Sequence, residues 1–313
     1  MPGPPESCED RPTMTSPYAA TVRRWYTANA RDLPWRRPDA TPWSILVSEF
    51  MLQQTPVSRV LPAHAAWLRR WPEPAALAAA TAADAVRQWD RLGYPRRALR
   101  LHACAGLITS QYDGQVPASV EQLRSLPGVG PYTAAAVASF AFGRRHAVLD
   151  TNVRRVLARL VTGDGRPAQA PTAGELRLAE SLLPRDGTAA ARWSVGVMEL
   201  GALVCTAARP RCADCPLAAK CHWLRRGRPS GPARPGQAAY HGSDRQIRGR
   251  LLAILRAADG PVGARDLESA GHESAQRARA LAGLITDGLV IRLADSSYAL
   301  PGDEPRHAAD TAR

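Results

Sequence analysis

The chain has 313 residues, of which 45% are apolar, and a formal net charge of +13. This length and apolar content suffice for about two globular domains and exclude a chain that is disordered throughout. No apolar run approaches the roughly 20 residues of a membrane-spanning helix. The excess of positive charge favours a polyanionic partner such as nucleic acid. The same excess is also consistent with a compositional bias toward arginine and alanine.

Residues 1–17 are polar and rich in proline, and we predict that they are disordered. They lack the apolar core of a secretory signal. Of the six cysteines, four lie close together within residues 205–221, whereas Cys8 and Cys104 are far apart in the sequence. We therefore expect a reduced, cytoplasmic protein whose clustered thiols bind metal rather than form disulfides.

From Tyr18 to about Trp223 the pattern is mainly helical, as in 120–142 and 153–160. The string LPGVGPYTAAAV, residues 126–137, places two glycines after a proline and just before a strong helix-forming run. Such a turn can present backbone amide groups to a phosphate. We predict a helix-hairpin-helix element in which Gly128, Val129 and Gly130 grip the DNA backbone without reading sequence.

Four cysteines follow in a C-x6-C-x2-C-x5-C array: Cys205, Cys212, Cys215 and Cys221. This array predicts a metal site with four thiolate ligands, which suit either zinc or an iron–sulfur cluster. Because protein ligands fill all four positions, we expect the metal to shape the loop rather than act on substrate. Arg209 and Arg211 lie between the ligands and are predicted phosphate contacts.

Residues 225–243 are rich in Pro, Gly and Arg and predict a linker. Beyond it, 244–302 show three helical segments and then two short alternating stretches, a pattern typical of a small winged-helix α+β domain. Such a domain can contact DNA or protein, or it can serve as a packing unit. We predict that residues 303–313 form a disordered tail.

Seven strings in the order of one family make the chain resemble the endonuclease III, or helix-hairpin-helix, superfamily of DNA glycosylases, and within it the MutY-type adenine DNA glycosylases. The resemblance covers about 18–223 and rests on LPWR, SEFMLQQTPV, LGYPRRALRLH, LPGVGPYTA, LDTNVRRVLAR, MELGALVC and the cysteine loop. It implies a mainly α fold with a six-helix barrel domain at 44–143 and a cluster-bearing helical domain formed by 18–43 and 144–224. It also implies that DNA lies in the cleft between them and that the cysteines hold a [4Fe-4S] cluster.

The resemblance implies a base excision repair enzyme, expected to be a monomer, that acts on double-stranded DNA with A:8-oxoguanine or A:G mispairs. Glu49 matches the residue that protonates N7 of the extruded adenine, which requires a raised pKa. Asp150 matches the essential aspartate that stabilises the sugar cation, electrostatically or covalently, and its position also suits a helix cap. Tyr132 matches the tyrosine that hydrogen-bonds to the catalytic carboxylate.

Flipping the adenine out of the duplex leaves a gap that side chains must fill. The resemblance implies that Gln53 and Gln54 form the wedge and that Tyr94 intercalates beside the opposing base. Pro95 departs from the family, which commonly has a second tyrosine there. The short C-terminal region departs further, because many relatives carry a Nudix-like domain that inspects 8-oxoguanine.

Three alternatives remain at this stage. A thymine-mismatch glycosylase of the same fold is opposed mainly by Glu49. An endonuclease III-like lyase needs a lysine nucleophile, but Tyr132 stands at that position and the chain has one lysine, Lys220, beside a predicted ligand. A non-enzymatic iron–sulfur regulator that binds DNA would give Glu49 and Asp150 no task.

Overall fold

The computed structural model of the chain describes residues 16–231 and 239–304. Most of the predicted N-terminal segment, Cys8, the middle of the predicted linker and most of the predicted tail lie outside these ranges. None of the helices within the described ranges is long and apolar enough to cross a membrane.

The described residues form α-helices joined by short turns and 3₁₀ segments, with one small antiparallel sheet. The α-helices are α1 Ala19–Asn29, α2 Pro42–Leu52, α3 Val57–Arg70, α4 Pro74–Ala78, α5 Ala82–Trp89, α6 Arg96–Gln111, α7 Val120–Ser125, α8 Pro131–Phe142, α9 Thr151–Leu157, α10 Ala173–Ser181, α11 Gly187–Leu203, α12 His222–Arg225, α13 Asp244–Ala257 and α14 Ser274–Thr286. The strands are β1 Ile291–Arg292 and β2 Tyr298–Ala299. The predicted mainly α fold is confirmed.

The chain divides into two compact units. The first comprises Met1–Asp32 and Ala138–Ala233, and the second Leu33–Val137 and Arg234–Arg313. The crossings lie before the predicted boundaries at 43/44 and 143/144. The C-terminal region belongs to the second unit, together with the helices predicted to form the barrel.

The first unit is built on α1, α9, α10, α11 and α12. The apolar faces of α1, α9, α10 and α11 form one core, whose buried members include Val22, Leu157, Trp193, Val197 and Leu200. This core also receives Cys205, Cys215 and Cys221 as partly buried neighbours. The cysteine loop is therefore anchored on the core of its own unit.

The second unit packs α2–α7 around large apolar side chains. Trp67 is fully buried and makes edge-on ring contacts with Trp71 at 4.6 Å and with Trp89 at 5.6 Å. Three helices of this unit, α2, α5 and α7, begin at side-chain caps, supplied by Thr41, Thr81 and Ser119.

The C-terminal module, residues 239–304, follows the predicted order of helices and strands. The middle helical segment is a short 3₁₀ helix, Asp266–Ala270, rather than an α-helix. In the sheet, Ile291 pairs with Ala299 and Arg292 with Tyr298, and Val262 adds a single bridge to Tyr298. The small C-terminal α+β region is thus present as expected.

Candidate functional site

Glu49 lies in α2, which is buried along almost its whole length. The side chains from Trp43 to Met51 are all buried, and Glu49 itself is 5% exposed. A carboxyl group in such mostly apolar surroundings must be paired or protonated, because an isolated buried charge is costly. α2 therefore holds a carboxyl group in the kind of environment that proton-donating carboxyl groups occupy.

The predicted hairpin joins α7 to α8 and packs against α2. Gly128 has a φ of +81°, and a Cβ atom there would lie 2.8 Å from Cε1 of Phe50 and 2.9 Å from Cβ of Arg100. Only glycine fits both the backbone conformation and this close approach. The Val129 amide donates to the Leu126 carbonyl at 3.1 Å, which closes the turn. Because Phe50 follows Glu49, the hairpin contacts the helix that carries the candidate acid.

Tyr132 is the second residue of α8 and is half-buried.

Gly130, unlike Gly128, has open space where a Cβ atom would stand. The two glycines of the hairpin therefore have different requirements, and only Gly128 is fixed by packing.

The two exposed residues predicted to enter the DNA stack share an unusual backbone conformation. Gln54 has a φ of +56° and Tyr94 a φ of +48°. Both side chains are exposed, that of Tyr94 to 52%. A left-handed conformation costs a non-glycine residue roughly 1–2 kcal/mol, and it persists where the surroundings enforce it, often at functional sites.

Arg97 supports the backbone at both of these positions, a role that was not predicted from the sequence, where Arg97 is one arginine in the string LGYPRRALRLH. Its side chain is 5% exposed. Its guanidinium group donates to the carbonyl oxygens of Phe50 (2.7 Å), Met51 (3.0 Å), Gln53 (2.6 Å) and Gly93 (3.0 Å) and to Oγ1 of Thr55 (3.0 Å).

Burial lowers the pKa of Arg97 to about 10, so the group stays charged at neutral pH. Its guanidinium carbon also lies 5.5 Å from the ring centre of Tyr94. One buried cation thus joins the backbone just before Gln54 to the backbone just before Tyr94.

Asp150 caps the first turn of α9, as its position in the sequence suggested. Its Oδ1 accepts from the Val153 amide at 2.6 Å, and its Oδ2 accepts from Nδ2 of Asn152 at 2.8 Å. Burial raises the pKa of Asp150 above the ordinary aspartate value, although the bonds from Val153 and Asn152 and the charge of Arg155 act in the opposite direction.

Arg155 extends this network to the cysteine loop. It donates to Oδ1 of Asn152, to the Gly201 carbonyl and to the Cys205 carbonyl, each at 2.7 Å. Gly201 permits the contact, because a Cβ atom there would lie 2.7 Å from Cβ of Asn152. Asp150, Asn152, Arg155 and the Cys205 backbone therefore form one continuous hydrogen-bonded path within the first unit.

The four predicted ligands, Cys205, Cys212, Cys215 and Cys221, line one small cavity of about 20 Å³. Its other walls come mostly from apolar side chains, including Val204, Trp223 and Leu224. Arg159 also lines the cavity, with NH1 3.3 Å from Sγ of Cys205. Within the described ranges, no group of three or more His, Cys, Asp or Glu side chains forms a site for a single ion.

This donor set fits a metal group bound by thiolates. All four cysteines line the same cavity, and the Arg159 guanidinium can offset the negative charge of the ligands. Without a metal, burial raises the pKa of the Cys205 thiol and raises that of Cys215 to about 11. Deprotonation of these thiols would therefore accompany metal binding.

The two arginines between the ligands are exposed, as a phosphate contact requires. Arg211 donates to the Leu203 carbonyl at 2.9 Å and lies 3.7 Å from Asp214, so it also helps to order the loop. Lys220 donates to the Pro17 carbonyl at 3.2 Å.

Comparison with known proteins gives a consistent result. Residues 47–181 match the family described as HhH-GPD superfamily base excision DNA repair protein. An adenine DNA glycosylase of Mycobacterium tuberculosis is 51% identical over 298 residues, which are 93% of this chain and 97% of that protein. So high a coverage includes most of the C-terminal module.

Two solved structures match the fold over 67% of the chain. A thermostable thymine-DNA glycosylase superposes with a TM-score of 0.60 at 26% identity, and the match covers 95% of that protein. A trapped endonuclease III–DNA covalent intermediate superposes with a TM-score of 0.56 at 21% identity, and the match covers 94% of that chain. At this identity the likeness shows the fold alone.

Proposed function

We propose that this chain, which belongs to the adenine DNA glycosylase family of the HhH-GPD superfamily of base excision DNA repair proteins, removes adenine that is mispaired with 8-oxoguanine or guanine. The chain is a DNA-binding adenine DNA glycosylase, a hydrolase of N-glycosidic bonds. The 51% identity over almost the full length of both proteins carries this conclusion. The identity of the opposing base is the proposed part.

Glu49 is the proposed general acid. It protonates N7 of the extruded adenine, the bond between N9 and C1′ breaks, and the bonding electrons leave with a base that is then neutral. Water adds to C1′ and gives its proton to the Glu49 carboxylate, which restores the acid. The burial of Glu49 in α2 supports this role, since a carboxyl group in an apolar environment is more readily protonated. Tyr132 orients that carboxyl group.

Asp150 is the proposed stabiliser of the positive charge that develops on the sugar. Its hydrogen bonds from the Val153 amide and from Asn152 hold the carboxylate in one orientation. These bonds also favour its ionised form against the effect of burial. The same residue can therefore cap α9 and serve the reaction.

We propose that the reaction stops at base release, without strand cleavage by the enzyme. A lyase of this superfamily would need an amine nucleophile. The sequence contains one lysine, Lys220, whose Nζ donates to the Pro17 carbonyl in the neighbourhood of the cysteine loop. Tyr132 stands where the lyases have lysine.

Cys205, Cys212, Cys215 and Cys221 would hold a [4Fe-4S] cluster, which would supply rigidity to the loop that presents Arg209 and Arg211. Their shared cavity and the nearby Arg159 support this proposal. Gly128, Val129 and Gly130 would bind the DNA backbone, and Gln53, Gln54 and Tyr94 would enter the duplex at the mispair. We propose that the protein acts as a monomer on cytoplasmic, nucleoid DNA.

Single-turnover base release tests the proposal. Duplexes would carry A opposite 8-oxoguanine, A opposite guanine or T opposite guanine, and mass spectrometry would identify the released base. We expect free adenine from the first two duplexes, with strand cleavage only after alkali. Release of thymine would instead indicate a thymine-mismatch glycosylase. Iron and acid-labile sulfide in the purified protein would distinguish the cluster from zinc.

A further inference from the structure

The C-terminal module is fastened to α5 of the same unit through Arg87. This side chain donates to both carboxylate oxygens of Asp303, with NH1 3.1 Å from Oδ1. It also donates to the Ala258 carbonyl at 2.9 Å. Asp303, placed by the sequence in a disordered tail, is only 14% exposed in its side chain. The contact is therefore a specific, partly buried ion pair.

Two further contacts reach the connection between α5 and α6. Arg256 of α13 donates to the Asp90 carbonyl at 2.6 Å. Asp287, directly after α14, lies 3.1 Å from NH1 of Arg96, and its other oxygen pairs with Arg248 of α13. The module thus holds the first residue of the connection at one end and the first residue of α6 at the other.

The segment held in this way is Asp90–Pro95, and its backbone is strained. Asp90 has a φ of +40°, Gly93 of +82° and Tyr94 of +48°. Three residues with positive φ within five positions need outside support, because two of them are not glycine. Arg97 supports the segment from inside, through the Gly93 carbonyl. The C-terminal module supports it at both ends.

The charge of the module argues for a positioning role rather than for a second DNA-binding surface. Residues 244–302 contain eight arginines and seven carboxylates, whereas the whole chain has a net charge of +13. An independent phosphate-binding domain is expected to be strongly basic. Asp287 and Asp303 are instead committed to the contacts with Arg96 and Arg87.

We propose that the C-terminal module is a positioning element for the mispair, which fixes Tyr94 in its left-handed conformation and so determines how firmly the enzyme engages the opposing base. The contact of Tyr94 with the opposing base rests on the proposed function. The support that the module gives to Asp90–Pro95 does not depend on that function.

Hydrogen exchange of the full chain, without DNA, tests the support. The double variant Asp287→Asn and Asp303→Asn removes the ion pairs with Arg96 and Arg87, and with them the pair of Asp287 with Arg248. We expect exchange at the amides of residues 90–94 and 96 to accelerate about fivefold, as for loss of interactions worth about 1 kcal/mol, while the first unit keeps the rates of the wild-type protein. The control is Asp295→Asn, which makes the same type of substitution, with half the change of charge, at a fully exposed turn of the module. Unchanged exchange at 90–96 would overturn the proposal. If the double variant unfolds the module, Asp303→Asn alone is measured by the same criteria.

The affinity for a mispaired duplex then tests whether the module acts through Tyr94. The probe is a duplex with a non-cleavable adenine analogue opposite 8-oxoguanine. We expect the double variant to bind it about fivefold more weakly than the wild type, and to cause no further loss in a Tyr94→Ala background. A full, additive loss in that background would mean that the module contacts DNA itself. If no variant distinguishes a mispair from a matched duplex, the proposed function fails while the exchange result stands.

Discussion

Nδ2 of Asn152 donates a hydrogen bond to Oδ2 of Asp150 at 2.8 Å, and Oδ1 of the same amide accepts one from Arg155 at 2.7 Å. Both ends of the Asn152 side chain are therefore engaged, which fixes its orientation. Since Arg155 also donates to the Cys205 carbonyl, the position of the candidate catalytic carboxylate is tied to the start of the cysteine loop.

Replacement of Asp150 separates its capping role from its chemical role. Asn caps a helix about as well as Asp, whereas Ala costs about 1 kcal/mol. At neutral pH we expect Asp150→Asn to be at least as stable as the wild type and Asp150→Ala to be about 1 kcal/mol less stable than Asp150→Asn, while both release adenine at least about 100-fold more slowly. Urea unfolding and single-turnover rates measure the two effects. An active Asp150→Asn protein would limit Asp150 to capping.

The stability of the protein should also depend on pH through Asp150. Burial raises the pKa of this group in the folded state, so its contribution to stability is fully present below the ordinary aspartate pKa of about 3.9 and is lost as the pH rises through the raised value. Asp150→Asn removes this dependence. The free energy of unfolding of the variant, relative to the wild type, should rise from acidic toward neutral pH. A difference that falls with pH over the same series of urea titrations contradicts the assignment.

Arg155 should be needed for the stability of the cysteine loop. Arg155→Gln leaves the carbonyls of Gly201 and Cys205 without their donor, which costs about 1–3 kcal/mol for each buried group. We expect a lower unfolding midpoint, a lower iron and sulfide content and slower adenine release. The control is Arg192→Gln, at an exposed position on α11. If Arg155→Gln kept the wild-type metal content and the wild-type rate of adenine release, the hydrogen-bonded path from Asp150 to Cys205 would not be needed for function.

The hairpin glycines should respond differently to alanine. Gly128→Ala combines a φ of +81° with contacts under 3.0 Å to Phe50 and Arg100, so we expect a loss of about 2 kcal/mol. Gly130→Ala meets open space and should change stability by less than about 0.5 kcal/mol. Thermal unfolding of the pair is the measurement, and equal losses would contradict the packing that the structure shows.

Much of the fold follows from local sequence. The helical periodicity, the turn at Leu126–Gly130 and the alternation near the C-terminus reflect short-range preferences, and the structure confirms the mainly α class with a small C-terminal sheet. The segment 120–142 forms two helices around the predicted hairpin. Asp150 as a helix cap was also predictable, because capping depends on residues three positions apart.

The hydrogen bonds that position the candidate site residues were not predictable in this way. Arg97 bonds to carbonyls more than 40 positions away along the chain, and Arg155 to one that is 50 positions away. Neither contact leaves a periodic signal, since a buried arginine and an exposed one are the same letter. The left-handed backbone at Gln54 and Tyr94 is likewise imposed by tertiary contacts on residue types that do not favour it.

The most direct test of the account is adenine release by Glu49→Gln under single-turnover conditions, from a duplex with A opposite 8-oxoguanine. Gln cannot donate a carboxyl proton, so we expect the rate to fall at least about 100-fold while duplex binding persists. Glu180→Gln, at an exposed position on α10, should keep the wild-type rate. Release of adenine by Glu49→Gln at the rate of the Glu180→Gln control would contradict the assignment of Glu49 as the acid.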